Sequence, residues 1–460
     1  MAEASSAGTL AAGAPAREAS PLGQFAWALF DGARSPYNVL VNIFVFSAYF
    51  STVVIPDPVQ GQIMWSYITA AAALMVAIGA PILGAIADAG GRRKPWLAAC
   101  MIIGLPLMAG LWFATPGMTA GLGFVVIALL GGYLFFEYSA IFCNAMLPNI
   151  APPSRIGFLS GLGLALGNVS GIVLFLFFLI AWSWSSQPWF GLDPAAHEPE
   201  RAVGLLAAVW MAIFGLPLFF LTPDSPGTSI SKRQAIRQGL SNLAETIRRI
   251  GQYRNIVTFL VARMIYNEGF LCLMLFTGVF ASGILGWTST MLVAEGLINS
   301  VVAAIAALFA GWLDVRIGSK RATAVFVGGC LVANLILVSI TRTSVFFIEL
   351  APVLTPPTGL FPTLPDKVFL VTQCSIAFFV TGGLVTSRSF MAKLAPQKML
   401  NEFFGLFAMS GTAVAFVGPL VIGQVTSFFG NQRSGVAVGI VFLTIGLLGL
   451  FKVREQMAAK

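Results

Sequence analysis

The chain has 460 residues, of which 57% are hydrophobic and only 10% are charged. Soluble domains carry about 25% charged residues, so this composition excludes a soluble globular protein and indicates an integral membrane protein in a lipid bilayer. The formal net charge of +8 would suit a nucleic-acid-binding protein, but the basic residues stand in short segments between apolar runs. That distribution argues against nucleic acid as a partner.

The five cysteines all lie inside apolar runs without CxxC spacing, and His197 is the only histidine. Thiols inside transmembrane helices usually act as small packing residues. The sequence therefore predicts no metal site and no cofactor.

The N-terminal segment is rich in Ala, Ser and Gly (MAEASSAGTLAAGAPAREAS) and has no basic start followed by an apolar core. It is therefore not typical of a cleaved signal peptide. Its low hydrophobicity predicts a disordered cytosolic tail over 1–33, so that the first span carries the targeting information.

Long apolar runs follow one another along the rest of the chain. A span needs roughly 20 mostly apolar residues, because lipid leaves every backbone polar group to be satisfied within the helix. The runs predict an all-α membrane protein with twelve transmembrane helices, at 35–55, 62–87, 96–114, 119–147, 156–183, 202–222, 255–283, 287–312, 322–341, 367–392, 402–428 and 434–452.

The longest basic connection divides these spans into two sets of six. The predicted organisation is an N-terminal six-helix bundle over 34–222, a basic cytosolic linker over 223–254, a C-terminal six-helix bundle over 255–453 and a cytosolic tail over 454–460. Within the linker, apolar residues at helical spacing predict a short interfacial helix at 236–250.

The two sets of six resemble each other. A shift of 227 positions aligns GAIADAGGRRK, after the second span, with GWLDVRIGSKR, after the eighth, so that Gly84 matches Gly311. A shift of 244 positions matches Gly161 with Gly405. Two parallel six-helix repeats are the architecture of the major facilitator fold.

Lysine and arginine set the predicted orientation. With both termini in the cytosol, 21 of the 26 basic residues fall on the cytosolic side and four on the other, while Arg263 lies inside a span. Cytosolic loops carry such an excess. In a prokaryote the protein would lie in the cytoplasmic (inner) membrane.

The segment after the second span resembles the signature of the major facilitator superfamily, Gly-x-x-x-Asp-x-x-Gly-Arg-Arg/Lys. The matching residues are Gly84, Asp88, Gly91, Arg92 and Arg93. The resemblance implies a cytosolic gate in which a carboxylate at a helix end pairs with arginines and a neighbouring helix N-terminus. A basic turn that only sets topology is the alternative. In the second copy Asp314 is one position out of register, so no symmetric gate is expected there.

Further segments resemble the vacuole-effluxer-like (autophagy-related amino-acid effluxer) branch of the superfamily. They are FDGARSPY at 30–37, FCNAMLPNIAP at 142–152, IYNEGF at 265–270, and SRSFMAKLAP with EFFG within 387–405. Fungal members of that branch are linked to amino-acid export from the vacuole. The resemblance therefore implies transport of a small polar solute.

Polar stripes on two spans are candidates for lining a central cavity. The first span carries Arg34, Asn38, Asn42 and Tyr49, and the fourth carries Tyr133, Glu137 and Asn144. Hydrogen bonding between helices is the alternative role for such residues.

Charged groups deep in the membrane cost roughly 2.5–3.5 kcal/mol each, so they are functional candidates. Besides Glu137 they are Arg263, Glu268 and Glu295. Glu268, next to Asn267, lies about thirteen residues or roughly 20 Å into the seventh span, near the midplane. We expect Glu268 to be the proton-coupling group and Glu137 the second candidate, with a structural Glu–Arg pair as the alternative. Glu295 is the weaker candidate, because the eighth span usually packs between the halves.

Glycines mark close packing and a bend. Gly163, Gly167 and Gly171 in the fifth span form a small-residue ladder, and Gly418-Pro419 predicts a bend in the eleventh. Such features usually serve helix packing and helix bending rather than solute binding.

The predicted function is a secondary active transporter that moves an amino acid or similar small polar solute by alternating access, with coupling to protons. Its partners would be the solute, protons and the bilayer, and we expect a functional monomer. The phosphate-binding Gly-x-x-x-x-Gly-Lys-Ser/Thr motif is absent from the sequence, which argues against ATP-driven pumping. An enzyme is not expected, because no nucleophile–base cluster is evident. A membrane-embedded enzyme or lipid-handling protein, and a transporter-like receptor or scaffold, stay open as alternatives.

Overall fold

The computed structural model describes residues 18–90, 92–224, 234, 237, 241, 248, 251, 253–351, 359–396 and 399–454, without the side chains of 87–90, 153 and 400–402. In that part of the chain twelve helices are long and apolar enough to cross a membrane. They are α1 (Pro21–Val54), α2 (Pro58–Ile86), α3 (Lys94–Phe113), α4 (Leu122–Ile150), α5 (Ser154–Ser183), α6 (Glu198–Leu221), α7 (Arg254–Leu285), α8 (Ser289–Ile317), α9 (Ser319–Val338), α10 (Leu364–Leu394), α11 (Phe403–Phe429) and α12 (Gln432–Lys452). The twelve predicted spans are confirmed.

The predicted boundary of the N-terminal tail is wrong, because α1 begins at Pro21 instead of residue 34. Ser20 caps the helix by accepting from the Gly23 amide at 3.2 Å, and proline is favoured in a first helical turn. The Trp27 indole donates to the Cys143 carbonyl of α4 at 2.7 Å. These contacts fix the start of α1 in a segment that the composition predicted to be a disordered tail. Residues 1–17 lie outside the described part of the chain.

Several of the described spans depart from regular α-helix, among them α1 and α11. The first contains wider π-helical turns at Tyr37–Phe44 and Phe50–Val54. The eleventh is built from two segments, Leu400–Thr412 and Val417–Phe429, separated by a short turn. The predicted bend in this span is confirmed. The Gly418-Pro419 dipeptide lies in the first turn of the second segment, directly after the break.

A small hairpin follows α9 in the connection to α10. Strands β1 (Ser344–Val345) and β2 (Ile348–Glu349) pair antiparallel across Phe346 and Phe347, which both have positive φ angles. The predicted interfacial helix at 236–250 and most of the linker lie outside the described residues.

The two halves pack their helices in the same way. In the first half α1 packs on α6, α3 on α4 and α2 on α4; in the second half the equivalent pairs are α7 with α12, α9 with α10 and α8 with α10. The predicted glycine ladder on α5 is confirmed, because it faces α1: a Cβ on Gly167 would touch Ser35 and one on Gly171 would touch Val39.

The halves meet near one face of the membrane-spanning region, which we call the far face because it lies opposite the described chain ends. There Gln62 of α2 donates to Thr426 of α11 at 2.8 Å and to the Gln432 carbonyl at 3.1 Å. Ser289 of α8 donates to Glu200 of α6 at 2.8 Å. These three hydrogen bonds join the halves on the far face.

The opposite face, which holds both described chain ends and which we call the terminal face, is open between the halves. A Cβ placed on Gly84, Gly161, Gly311 or Gly405 would meet no other heavy atom within 4 Å. These are the two pairs of glycines that the internal repeat matches. The structure is therefore closed at the far face and open at the terminal face.

Candidate functional site

A cavity of about 210 Å³ lies between the two halves, with walls from α1, α2, α4, α7 and α11. Its polar lining residues are Asn38, Thr69, Tyr133, Glu137, Asn267 and Thr412. Four of the residues proposed from the sequence thus come together from three helices: Asn38, Tyr133, Glu137 and Asn267. Spans that meet at a central cavity are typical of transporter sites.

Glu137 is the carboxyl group that lines this cavity. The charge of Arg34 acts on it, while the Arg34 side chain pairs with Asp31 at 2.8 Å and lies 4.6 Å from the centre of the Phe136 ring. The charges of both Glu137 and Glu268 act on Tyr133. Tyr133 therefore lies near both carboxyl groups that the sequence suggested.

Glu268 is only 2% exposed and contacts the break in α11. Its Oε2 accepts from the Gly418 amide at 2.7 Å, and Oε1 has no partner within the described part of the chain. Gly418 lies in the first turn of the segment Val417–Phe429, where backbone amides are free of helical partners. A carboxylate there is stabilised by the helix dipole.

Arg263 lies one turn earlier on α7 and contacts the other side of the same break. Its guanidinium donates to the Phe407 carbonyl at 2.8 Å and to the Ser410 hydroxyl at 2.6 Å, and it lies 3.7 Å from the centre of the Phe407 ring. Cations are favoured near helix C-termini. The two charges of α7 thus contact the two segments of α11, each near the helix end that suits its sign. Within the described residues they form no ion pair with each other.

Three other candidates, Asn42, Asn144 and Tyr49, lie outside the cavity. Asn42 is buried and donates to the Asn38 side chain at 3.3 Å, so its amide supports a lining residue. Asn144 is exposed near the end of α4 at the terminal face. Tyr49, from the same stripe as Asn42, donates to the Ala114 carbonyl at 2.7 Å and packs against the end of α3.

The gate motif lies at the terminal face, but the Asp88 side chain and Gly91 are outside the described residues. Arg92 is exposed, and the backbone amides of Arg93 and Lys94 donate to the Asp224 carboxylate at 2.9 and 3.2 Å. Asp224 therefore caps the N-terminus of α3. The motif lies beside the opening between the halves.

The second half holds a carboxylate contact at the segment that the repeat matches to the gate motif. Asp314 at the end of α8 accepts from Lys393 at 2.9 Å and from Ser389 at 2.7 Å, both on α10. Asp314 also interacts with Ser319 at the start of α9, so its contacts join the ends of α8, α9 and α10.

The sequence missed the partners of the α7 charges. Glu268 and Gly418 are 150 residues apart, and Gly-Pro was the available signal for the break in α11. Among the described residues, no three His, Cys, Asp or Glu side chains gather as metal ligands would.

The chain matches the model of a protein family described as vacuole effluxer Atg22 like over residues 154–460. It is 25% identical over 441 residues to YxiO of Bacillus subtilis, an uncharacterized MFS-type transporter, and the alignment covers 94% of each protein. It is 23% identical over 304 residues to autophagy-related protein 22 of Cryptococcus neoformans, covering 65% of this chain and 50% of that one. The chain thus spans about half the length of that fungal relative.

Solved structures share the fold. The nucleoside transporter NupG superposes with a TM-score of 0.60 at 13% identity, covering 94% of this chain and 98% of that one. The D-xylose-proton symporter superposes with a TM-score of 0.63 at 14% identity, covering 95% and 97%. At these identities the likeness establishes the fold, which confirms the twelve-helix major facilitator architecture.

Proposed function

We propose that this chain, which belongs to the vacuole effluxer Atg22-like family of the major facilitator superfamily, couples the movement of a small polar solute to protons. The family and the fold make it a multi-pass membrane protein and a secondary transporter. The polarity of the solute and the coupling to protons are inferred from the residues around the cavity.

The contact between Glu268 and the broken helix α11 carries the proposal. An ionised Glu268 attracts the positive end of the segment Val417–Phe429, and a protonated Glu268 loses most of that attraction. This segment also closes the far face, since a Cβ on its Gly423 would lie 3.0 Å from Ser66 of α2. Protonation would therefore weaken the attraction between Glu268 and a helical segment that forms the contact between the halves.

The polarity of the cavity supports a small polar solute. Amide and hydroxyl groups of Asn38, Tyr133, Asn267 and Thr412 line it together with the single carboxyl group of Glu137. Such a lining supplies both donors and acceptors, which suits a molecule that carries several polar groups. We propose an amino acid or a similar molecule, in line with the family.

We also propose that both termini face the cytosol, from the distribution of basic residues, and that the open terminal face is the cytosolic one. The two functional halves would be 34–222 and 255–453, joined by the linker 223–254. The gate residues Asp88 and Arg92 would act when the terminal face closes.

Transport is tested with the purified protein in proteoliposomes. A panel of labelled amino acids and sugars is offered with an imposed pH gradient, and at least one solute should accumulate above its external concentration. Uptake of none of them in either gradient direction, from protein shown to be folded, would favour a receptor or a scaffold.

Coupling is tested with Glu268→Gln, which keeps the shape of the side chain and removes its proton site. One proton per solute would give about tenfold accumulation for each unit of pH difference, because one pH unit corresponds to about 1.36 kcal/mol. We expect Glu268→Gln to lose this accumulation and to retain exchange between equal compartments. Glu349→Gln, on the exposed hairpin, is the control. Wild-type accumulation by Glu268→Gln would make Glu268 a structural residue.

A further inference from the structure

The charges of the helices around the cavity do not cancel. Its walls come from α1, α2, α4, α7 and α11. Apart from Arg254 at the start of α7, these spans carry two cations and three carboxyl groups, which are Arg34, Arg263, Asp31, Glu137 and Glu268. With all five ionised, the sum is one negative charge. An uncompensated charge inside a membrane protein is costly, so we expect one further positive charge here.

Four of these five charges have a partner within the protein. Arg34 and Asp31 pair with each other at 2.8 Å. Arg263 donates to the first segment of α11, and Glu268 accepts from the second. The carboxylate of Glu137 makes no hydrogen bond and no ion pair with the described residues, and the charge of Arg34 acts on it without direct contact. The uncompensated negative charge is therefore that of Glu137.

The oxygens of Glu137 are open to the cavity. Glu137 is a half-buried residue of the cavity wall. Neither of its oxygens is closed off by the surrounding protein, in contrast to Oε1 of Glu268 and Oε2 of Glu295. A ligand in the cavity can therefore reach this carboxylate directly. The described lining contains no lysine, arginine or histidine, so the missing positive charge has to come from a bound ligand or a proton.

Other polar groups of the same cavity favour a ligand over a proton. Asn267 of the second half is only 7% exposed, and its amide makes no hydrogen bond with the described residues. The Tyr133 hydroxyl also lacks a partner in that part of the chain, and Asn38 uses only its Oδ1, which accepts from Asn42. Buried polar groups are nearly always paired, so free ones on a cavity wall indicate a ligand that pairs with them. A proton on Glu137 would leave these groups to water.

We propose that Glu137 binds a primary ammonium group of the transported solute and that Asn267 binds an oxygen of the same molecule, an inference that rests on the proposed function. An ammonium group carries three donors and no acceptor, which suits a carboxylate whose oxygens are both free, and the Asn267 amide can donate to an oxygen. The solute would thus contact both halves, α4 through Glu137 and α7 through Asn267.

The size of the cavity agrees with a small amine. A water molecule takes up about 30 Å³ in the liquid, so the cavity of about 210 Å³ has room for roughly seven water molecules or a solute of similar size. The expected solute class is therefore a small primary amine with an acceptor oxygen close to its nitrogen.

Three probes test the proposal on the purified full-length protein in detergent. L-alaninamide carries the ammonium group and an amide oxygen, ethylamine carries the ammonium group alone, and propionamide carries the amide alone. At about pH 6.5 both amines are mostly protonated. Thermal shift and calorimetry should show roughly millimolar binding, a range that suits ligands of so few heavy atoms. We expect L-alaninamide to bind most tightly, ethylamine more weakly and propionamide not at all.

Substitutions at the two residues assign the contacts. Glu137→Gln breaks no contact among the described residues, so it should fold, and it should weaken the binding of both amines tenfold or more. Glu137→Asp keeps the carboxylate and should keep the preference for amines over propionamide. Asn267→Leu should reduce L-alaninamide binding to the level of ethylamine and leave ethylamine binding unchanged.

Two control variants should leave all three affinities unchanged. Glu349→Gln removes a carboxyl group of the exposed hairpin. Asn334→Leu removes a buried amide of α9 that has no partner within the described residues and lies outside the cavity.

The proposal is overturned by equal binding of amines and propionamide, by unchanged amine affinity in Glu137→Gln, or by stabilisation with sodium ions but with neither amine. Unchanged amine affinity together with lost pH-driven accumulation would make Glu137 a proton site instead. The binding readouts do not need transport. A protein that binds amines through Glu137 but moves no solute in proteoliposomes would keep the subsite and overturn the proposed function. A proton-coupled transporter indifferent to amines would overturn the subsite alone.

Discussion

Alternating access requires the terminal face to close, and four glycines lie where closure would bring the halves together. Gly84 on α2, Gly161 on α5, Gly311 on α8 and Gly405 on α11 have room for a Cβ with no heavy atom within 4 Å. On the closed far face the same helix pairs leave no such room: a Cβ on Gly296 of α8 would lie 2.7 Å from a ring carbon of α5. We therefore expect Gly161→Leu and Gly405→Leu to be harmless in the present state and to obstruct the closed one.

The expected size follows from that contrast. Inserting a large side chain into a packed interface costs about 1–3 kcal/mol. Since each 1.4 kcal/mol is a factor of ten, one leucine would shift the balance of open and closed states by roughly 5- to 150-fold. In the open state the same substitution replaces a glycine within a helix. That replacement stabilises the helix by up to about 1 kcal/mol. Turnover should fall about tenfold or more, while thermal stability stays the same or rises.

The assay compares exchange rates in proteoliposomes with labelling of a cysteine placed at Thr412, which lines the cavity. In Gly161→Leu and Gly405→Leu the cysteine should stay open to reagents from the terminal face even with solute present. Gly123→Leu, at a glycine of α4 that is equally free of neighbours, is the control. Wild-type exchange in both variants would refute the idea that the halves close at these glycines.

Three further predictions concern other contacts. Gly418→Ala would place a Cβ 2.9 Å from Glu268 Oε2 and displace the carboxylate. The protein should then lose a charge-assisted hydrogen bond worth about 1.5–3 kcal/mol. A wild-type unfolding temperature together with normal pH-driven accumulation would contradict this expectation. Asp314→Asn should lower the free energy of unfolding by only about 0.2–1 kcal/mol, because its partner Lys393 is 56% exposed. A double-mutant cycle with Lys393→Met should give a coupling energy of that size; additive effects of the two substitutions would contradict the contact. A single cysteine at Ser231, in a version without native cysteines, should resist an impermeant reagent in intact cells; efficient labelling would reverse the proposed topology.

The features that the sequence predicted are those that depend on neighbouring residues in the chain or on lipid. Spans could be located because the bilayer demands long apolar runs, and the Gly163 to Gly171 ladder because glycines at helical spacing share one face. The start of α1 was missed because its capping and its contacts with α4, such as Trp27 with Cys143, are tertiary. The partner of Asp314 was missed for the same reason, since register within a repeat gives no information about the helix on the other side.

At the candidate site too, the sequence located individual residues but not their tertiary contacts. Sequence reasoning could select Glu268, because a carboxyl group near the midplane is costly wherever it faces. It could not pair Glu268 with a backbone amide, since any residue can supply an amide and only the break in α11 leaves this one free. It ranked Glu295 low from the usual position of the eighth span, and the unpaired atoms around that carboxyl group became visible only in three dimensions.

The deeply buried charges of the spans are not balanced equally, and that difference assigns them different roles. Arg263 and Glu268 each contact a segment of α11, so part of the cost of burying them is offset within the protein. Glu295 has one amide donor and one unpaired oxygen among the described residues. On the proposed function, a proton would have its largest effect on helix positions at Glu268, whose carboxylate contacts the start of the segment Val417–Phe429.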